Sequence, residues 1–175
     1  MKNKTFQITT KTMTYMAIFA ALQIVLEYLT QFTPQMPRGG NVAFSLVALM
    51  LCSYLMGPIY GLVVSLVCVG LHFVLGLATF YGALSVIFDY FLPMAIVGLV
   101  SLIPLIKIKQ IDIPIGIIIV MVLKTICHLI AGYYAFATLL MANLAYNLPY
   151  NIATMVACFI LFILLYPRLK NVIKI

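Results

Sequence analysis

The sequence predicts an all-α integral membrane protein of six transmembrane helices with both termini in the cytoplasm, and three observations predict it. Hydrophobic residues make up 66% of the 175 residues and charged residues 7%, whereas a soluble domain is about 45–50% apolar and about 25% charged. The apolar residues fall in runs near the length that crosses a bilayer. The basic residues sit mainly where those runs end, as lipid headgroups favour. A soluble enzyme, a disordered tail and a nucleic-acid binder are thereby excluded: the net charge is +7, but its carriers form no dense stripe.

Within one domain covering residues 1–175, spans are predicted at about 10–30, 41–56, 59–77, 80–105, 113–137 and 148–166. The first follows Lys2, Lys4 and Lys11 as a secretory leader would, but its apolar run is too long and lacks a small-residue cleavage site. The second would reach only about 24 Å, so it is short or continues through Gly39-Gly40. Pro34, Pro37 and Gly39-Gly40 separate it from the first, and Gly57-Pro58 leaves room only for a tight hairpin before the third. Asn147 followed by Pro149 reads as an N-cap and a first-turn proline opening the sixth. With the N-terminus inside, Lys2, Lys4, Lys11, Lys107, Lys109, Arg168, Lys170 and Lys174 are cytoplasmic and only Arg38 is external. That asymmetry sets the orientation.

Acids number three: Glu27, Asp89 and Asp112. Asp112 reads as a solvated charge beside Lys107 and Lys109, and Glu27 as a rim ion pair with Arg38. Asp89 falls about ten residues into the fourth span, where a carboxylate costs a few kcal/mol. Pro93, four residues on, cannot donate to its carbonyl. In the fifth span Lys124 and His128 share a helical face, and Gly132 extends that stripe with a gap beside the imidazole. A cation, an imidazole and a gap in line form a pocket wall; the rival is a structural Asp89–Lys124 ion pair. Tyr133, Tyr134 and Tyr146 gather near the outer mouth, and Asn151 offers both a donor and an acceptor for a heterocycle edge. Flat aromatic walls with an intramembrane carboxylate suit a flat, cationic ligand.

His72 reads as a satisfied buried histidine, and Cys52, Cys68, Cys127 and Cys158 as small buried hydrophobes, since no metal or redox spacing joins them. Ala17 and Ala21 follow the small-xxx-small pattern of close helix contact. No GxxxxGK[ST] loop, GxSxG elbow or HExxH helix is present. No catalytic residue, metal site or cofactor is therefore expected, and a pocket without a motor points to a binding subunit whose energy comes from a partner.

The chain resembles the substrate-binding S components of energy-coupling factor (ECF) vitamin transporters, of the thiamine type. Met36-Pro37-Arg38-Gly39-Gly40-Asn41, Phe88-Asp89-Tyr90 with Pro93, Leu123-Lys124 through His128-Leu129-Ile130-Ala131-Gly132, and Ala145-Tyr146 to Asn151 carry the resemblance in order. It implies capture of thiamine from outside by a six-helix protein of the cell membrane. That protein would dock to a transmembrane scaffold and two cytoplasmic ATPases. It also implies pocket roles for Asp89 facing the cation, Tyr90, His128 and Tyr146 around the rings, and Asn151 on the pyrimidine edge. Ala17, Ala20 and Ala21 would form the docking surface. The chain departs from the family pattern in having no Trp, for which Tyr133 or Tyr134 would substitute, and in having Ala43 where relatives often have serine or glutamate. A thiamine precursor or another small aromatic vitamin stays open as ligand. Two other functions also stay open: a proton-coupled transporter using Asp89, Lys124 and His128, and a membrane scaffold.

Overall fold

The computed structural model describes residues 7–36, 40–109 and 111–173. Helix α1 (Thr10–Thr30) opens on a reciprocal capping box, in which the Thr9 hydroxyl accepts from the Thr12 amide and the Thr12 hydroxyl accepts from the Thr9 amide. Helix α2 (Leu46–Met56) begins later than predicted, because the Ala43 amide donates to Thr154 Oγ1 at 3.0 Å instead of to a helical carbonyl. It is apolar on every side and buried nearly throughout, as a central helix must be. Gly57, at φ 124°, makes the predicted hairpin, and Pro58 occupies the first position of α3 (Pro58–Val74).

Helix α4 (Ala83–Leu102) is not uniform. Residues Val86–Phe91 form a π-helical turn, in which the Leu92 amide donates to the Ile87 carbonyl, and the last turn, Val100–Leu102, is 3-10. The wide turn falls just before Pro93, whose missing N–H breaks the α-ladder there. The inner loop is not featureless: strands β1 (Ile106–Ile108) and β2 (Ile111–Ile113) pair antiparallel with Lys107 opposite Asp112. This small hairpin is a local addition to an otherwise all-helical architecture. Asp112 is buried, not solvated, and accepts from Lys170 Nζ at 2.7 Å, a bond that raises the lysine's pKa.

Helix α5 (Ile115–Tyr134) is followed by α6 (Leu140–Leu169). The sixth helix thus starts a full two turns before the predicted Asn147 cap and carries Pro149 inside it. The stretch ahead of Pro149 is held to α5 by Asn143, whose amide donates to the Leu129 carbonyl at 2.8 Å. Six helices therefore make up the fold among the described residues, and α1, α4, α5 and α6 are long and apolar enough to cross a membrane.

Helix α2 packs against α1, α3, α4 and α6, with Leu49, Met50, Leu51 and Phe162 buried in the shared core. α3 and α4 meet backbone to backbone at Gly61 and Gly98, where a Cβ on either would overlap the other's main chain. Helices α1, α3 and α5 end where α2, α4 and α6 begin: Asn41 reaches Thr30, Thr79 reaches Tyr90, and Gly40 reaches Tyr146. At the opposite end Gln7 meets Tyr60 and Lys170 meets Asp112. Lys11, Lys107, Lys109, Arg168 and Lys170 belong to that second end by their places in α1, the hairpin and α6.

Candidate ligand-binding cavity

A cavity of about 550 Å³ opens among the helix ends away from the basic residues. α1 contributes Glu27, α3 His72, α4 Asp89 and Tyr90, α5 Lys124 and His128, and α6 Tyr146 and Tyr150. Loops around Gly40, Thr79 and Phe136 close its rim.

One wall is a relay of polar groups. Ser85 Oγ donates to Asp89 Oδ2 at 2.8 Å, and Asp89 Oδ1 lies 3.1 Å from His128 Nδ1. His128 Nε2 is 2.9 Å from Lys124 Nζ, which also donates to Asn151 Oδ1 at 2.7 Å. A carboxylate on Nδ1 and an ammonium on Nε2 assign the imidazole one proton, on Nδ1, so that it donates to the acid and accepts from the lysine. The predicted Asp89–Lys124 ion pair therefore exists only through His128, which meets Asp89 in a hydrogen bond; the Lys/Arg–carboxylate pair within 4 Å among the described residues is Lys170–Asp112. The π-turn is what places this chain of contacts, since it carries Asp89.

Behind the relay runs an asparagine ladder on one face of α6. Asn151 Nδ2 donates to the Asn147 carbonyl at 2.9 Å, and Asn147 Nδ2 donates to Asn143 Oδ1 at 2.7 Å. Tyr150 OH donates to Asn147 Oδ1 at 2.5 Å. Asn151 thus stands behind the wall with both ends of its amide engaged, and Asn143 and Asn147 reach the cavity surface. The predicted gap at Gly132 is occupied by Asn143: a Cβ there would overlap the carboxamide, so the glycine admits a side chain from α6 and does not leave an empty slot.

Aromatic residues complete the wall. Tyr90 OH accepts from the Thr79 amide at 3.1 Å, and its ring meets Phe73 edge-on at 5.1 Å. Tyr146 and Tyr150 lie 5.8 Å apart, and the Gly40 amide donates to Tyr146 OH at 3.1 Å. A Cβ on Gly40 would sit 2.9 Å from the Tyr150 ring, so only glycine lets the loop lie on this pair. Tyr133 and Tyr134 stack edge-on against each other and are exposed; neither lines the cavity, where Phe136 is the aromatic residue following α5.

The opposite wall is a second polar chain. His72 Nε2 donates to Gln23 Oε1 at 3.0 Å, Gln23 Nε2 donates to Ser45 Oγ at 3.5 Å, and Ser45 Oγ donates to Glu27 Oε2. Thr30 Oγ1 lies 3.3 Å from the other Glu27 oxygen. Arg38, the predicted partner of Glu27, lies outside the described residues, and Glu27 pairs with no cation among those described.

A family model described as "Thiamine transporter protein (Thia_YuaJ)" matches residues 13–174. The chain belongs to the thiamine transporter protein family. A solved structure titled "Structure and mechanism of the S component of a bacterial ECF transporter" has a similar fold, with a TM-score of 0.66 at 23% identity over 94% of this chain and 98% of that one. No curated protein sequence matches the chain.

In this member of the transporter family, the cavity gathers Asp89, Tyr90, Lys124, His128, Gly132 and Tyr146 from the predicted site residues. It adds Glu27, His72, Asn143, Asn147 and Tyr150, which the sequence reading had not assigned to a ligand. The i, i+4 spacing of Asn143, Asn147 and Asn151 was a visible signal for the ladder, masked by starting the sixth helix too late. Nothing local marks Glu27 or His72, whose meeting depends on α1 lying against α3. Elsewhere, Ala17 and Ala20 line a shallow apolar groove of about 160 Å³ with Met16, Val64 and Val67, and Ala21 lies exposed beside it. All four cysteines are buried and free, as expected of small hydrophobes.

Proposed function

We propose that this protein is the substrate-capture S component of an ECF-type transporter, a single six-helix domain of the cell membrane that binds thiamine from outside without converting it. The observation that carries the reading is the charge of the cavity. Its described lining holds two carboxylates, Glu27 and Asp89, against one ammonium, Lys124. His128 accepts from that ammonium and is neutral, so among these described residues the carboxylates outnumber the lysine. Such a cavity, of a size usual for small-molecule sites and walled by tyrosines, suits a flat organic monocation, and thiamine is one.

The orientation follows from the same geometry. The basic residues lie at the end away from the cavity, so the positive-inside rule puts both termini in the cytoplasm and the cavity at the outer face. Uptake would draw energy from a scaffold protein and two ATPases, and the groove at Ala17 and Ala20 offers the scaffold a close approach. Asp89, Tyr90, His128 and Tyr146 would contact the vitamin directly, with Lys124 and Asn151 holding His128 in place and Gly132 seating Asn143. Calorimetric titration of detergent-purified protein with thiamine tests the reading, and saturable one-to-one binding is expected. Absence of binding would overturn the ligand assignment. Uptake into liposomes by this chain alone, driven by a pH gradient, would overturn the S-component assignment.

A further inference from the structure

We propose that the β1–β2 hairpin is an interfacial anchor: its isoleucine face lies in the acyl-chain boundary of the bilayer at the basic end of the helices, and its lysines meet anionic phospholipid headgroups. The strand register divides the hairpin into two faces. Lys107 stands opposite Asp112, while Ile106 pairs with Ile113 and Ile108 with Ile111, so one face is polar and the other is built of isoleucine. The polar face is held to the protein: Asp112 is buried and accepts from Lys170 of α6 at 2.7 Å. The isoleucine face turns outward, with Ile106, Ile108 and Ile111 exposed at 45%, 54% and 54%. A hairpin surrounded by water has the opposite arrangement, apolar side on the core and polar side out.

Short tethers fix the level of that face. Residues 103–105 join the hairpin to α4 and Pro114 joins it to α5, so its two ends lie within about 14 Å and about 7 Å of those helices. Both helices are long and apolar enough to cross a membrane, which puts the hairpin where the bilayer reaches it without help from a partner protein. Tyr54 OH donates to the Ile103 carbonyl at 2.9 Å and secures the root from α2, as Lys170 secures β2 from α6. A two-stranded hairpin is marginal in water. Here contacts on one side hold it with its apolar side uncovered, and charge decides what covers it. Lys107 and Lys109 are exposed on the hairpin and Arg168 is exposed near the end of α6. The acid at this end, Asp112, is already bonded to Lys170. An apolar face bordered by exposed cations matches an anionic membrane surface: the isoleucines enter the boundary and the ammonium groups reach lipid phosphates.

The chain has no tryptophan, so one placed on the hairpin is a unique reporter. Ile108→Trp and, separately, Ile111→Trp are made in the full chain, both at exposed positions. Each is reconstituted into vesicles of equal parts phosphatidylcholine and phosphatidylglycerol, with bromine on the acyl chains of one lipid or of the other in both leaflets. Emission is expected to be shifted to the blue, to resist acrylamide in the water, and to be quenched about twofold more strongly by brominated phosphatidylglycerol than by brominated phosphatidylcholine. Adding Lys107→Gln and Lys109→Gln should remove that difference while acyl-chain quenching persists. Emission that acrylamide quenches freely and bromine does not would put the isoleucine face in water and overturn the proposal, whether or not a partner protein covers the face later. Equal quenching by the two lipids before the lysines are replaced, or a preference that survives their replacement, would also overturn it. Because both leaflets carry the label, the result is independent of the orientation of the chain and of the ligand in the cavity.

Discussion

Replacing Asp89 and Lys124 singly and together tests whether His128 joins them into one electrostatic unit. The contacts of 3.1 Å and 2.9 Å on its two sides, with the width of the ring, hold carboxylate and ammonium about 8 Å apart. At an effective dielectric of about 20 that separation gives ~2 kcal/mol of attraction. Asp89→Asn leaves a buried ammonium, which should cost about 3–5 kcal/mol, and Lys124→Met leaves a partly exposed carboxylate, which should cost less. The double variant leaves neither, and should therefore be more stable than the summed losses predict by about 2 kcal/mol. For a chain of this length that is about 4–8 °C in the unfolding midpoint. Thermal unfolding of the four detergent-purified proteins measures it. Additivity within about 0.5 kcal/mol would refute the relay, because residues that act independently add.

Two further outcomes follow from single contacts. Gly132→Ala puts a methyl group into the Asn143 carboxamide and should destabilise by about 1–3 kcal/mol, the usual cost of overpacking; an unchanged midpoint would mean that α5 and α6 separate freely there. Lys170 has its pKa raised by its bond to Asp112, so the stability it contributes is fully present below the ordinary lysine pKa, about 10.4, and is lost as pH rises through the higher folded value. Midpoints recorded from neutral pH upward should fall more steeply above about pH 10 in wild type than in Lys170→Met; parallel curves would show that the bond adds nothing, as many half-exposed pairs do.

The helices were legible wherever a local pattern was sufficient. The boundaries of α1 agree with its apolar run, and Gly57-Pro58 marks the hairpin between α2 and α3. The sixth helix was misread because Asn147 and Pro149 make a plausible local start. The contact that overrides it, Asn143 to the Leu129 carbonyl, is made by another helix. Asp112 was misread for a similar reason: its partner Lys170 is 58 residues away in sequence.

By itself the sequence determined the solvent of this protein, the approximate number of its helices and the end at which its positive charge collects. Those properties depend on composition and run length, which tertiary contacts do not change. The sequence also singled out Asp89, Lys124 and His128, because charged groups at membrane depth are conspicuous. The tertiary structure alone decided which charges cancel. Three acids look alike in a sequence, but the fold pairs Asp112 with Lys170, links Asp89 to Lys124 through His128, and bonds Glu27 to hydroxyls at the cavity. Electrostatic compensation is a matter of distances between helices, and those distances are set only when the helices pack.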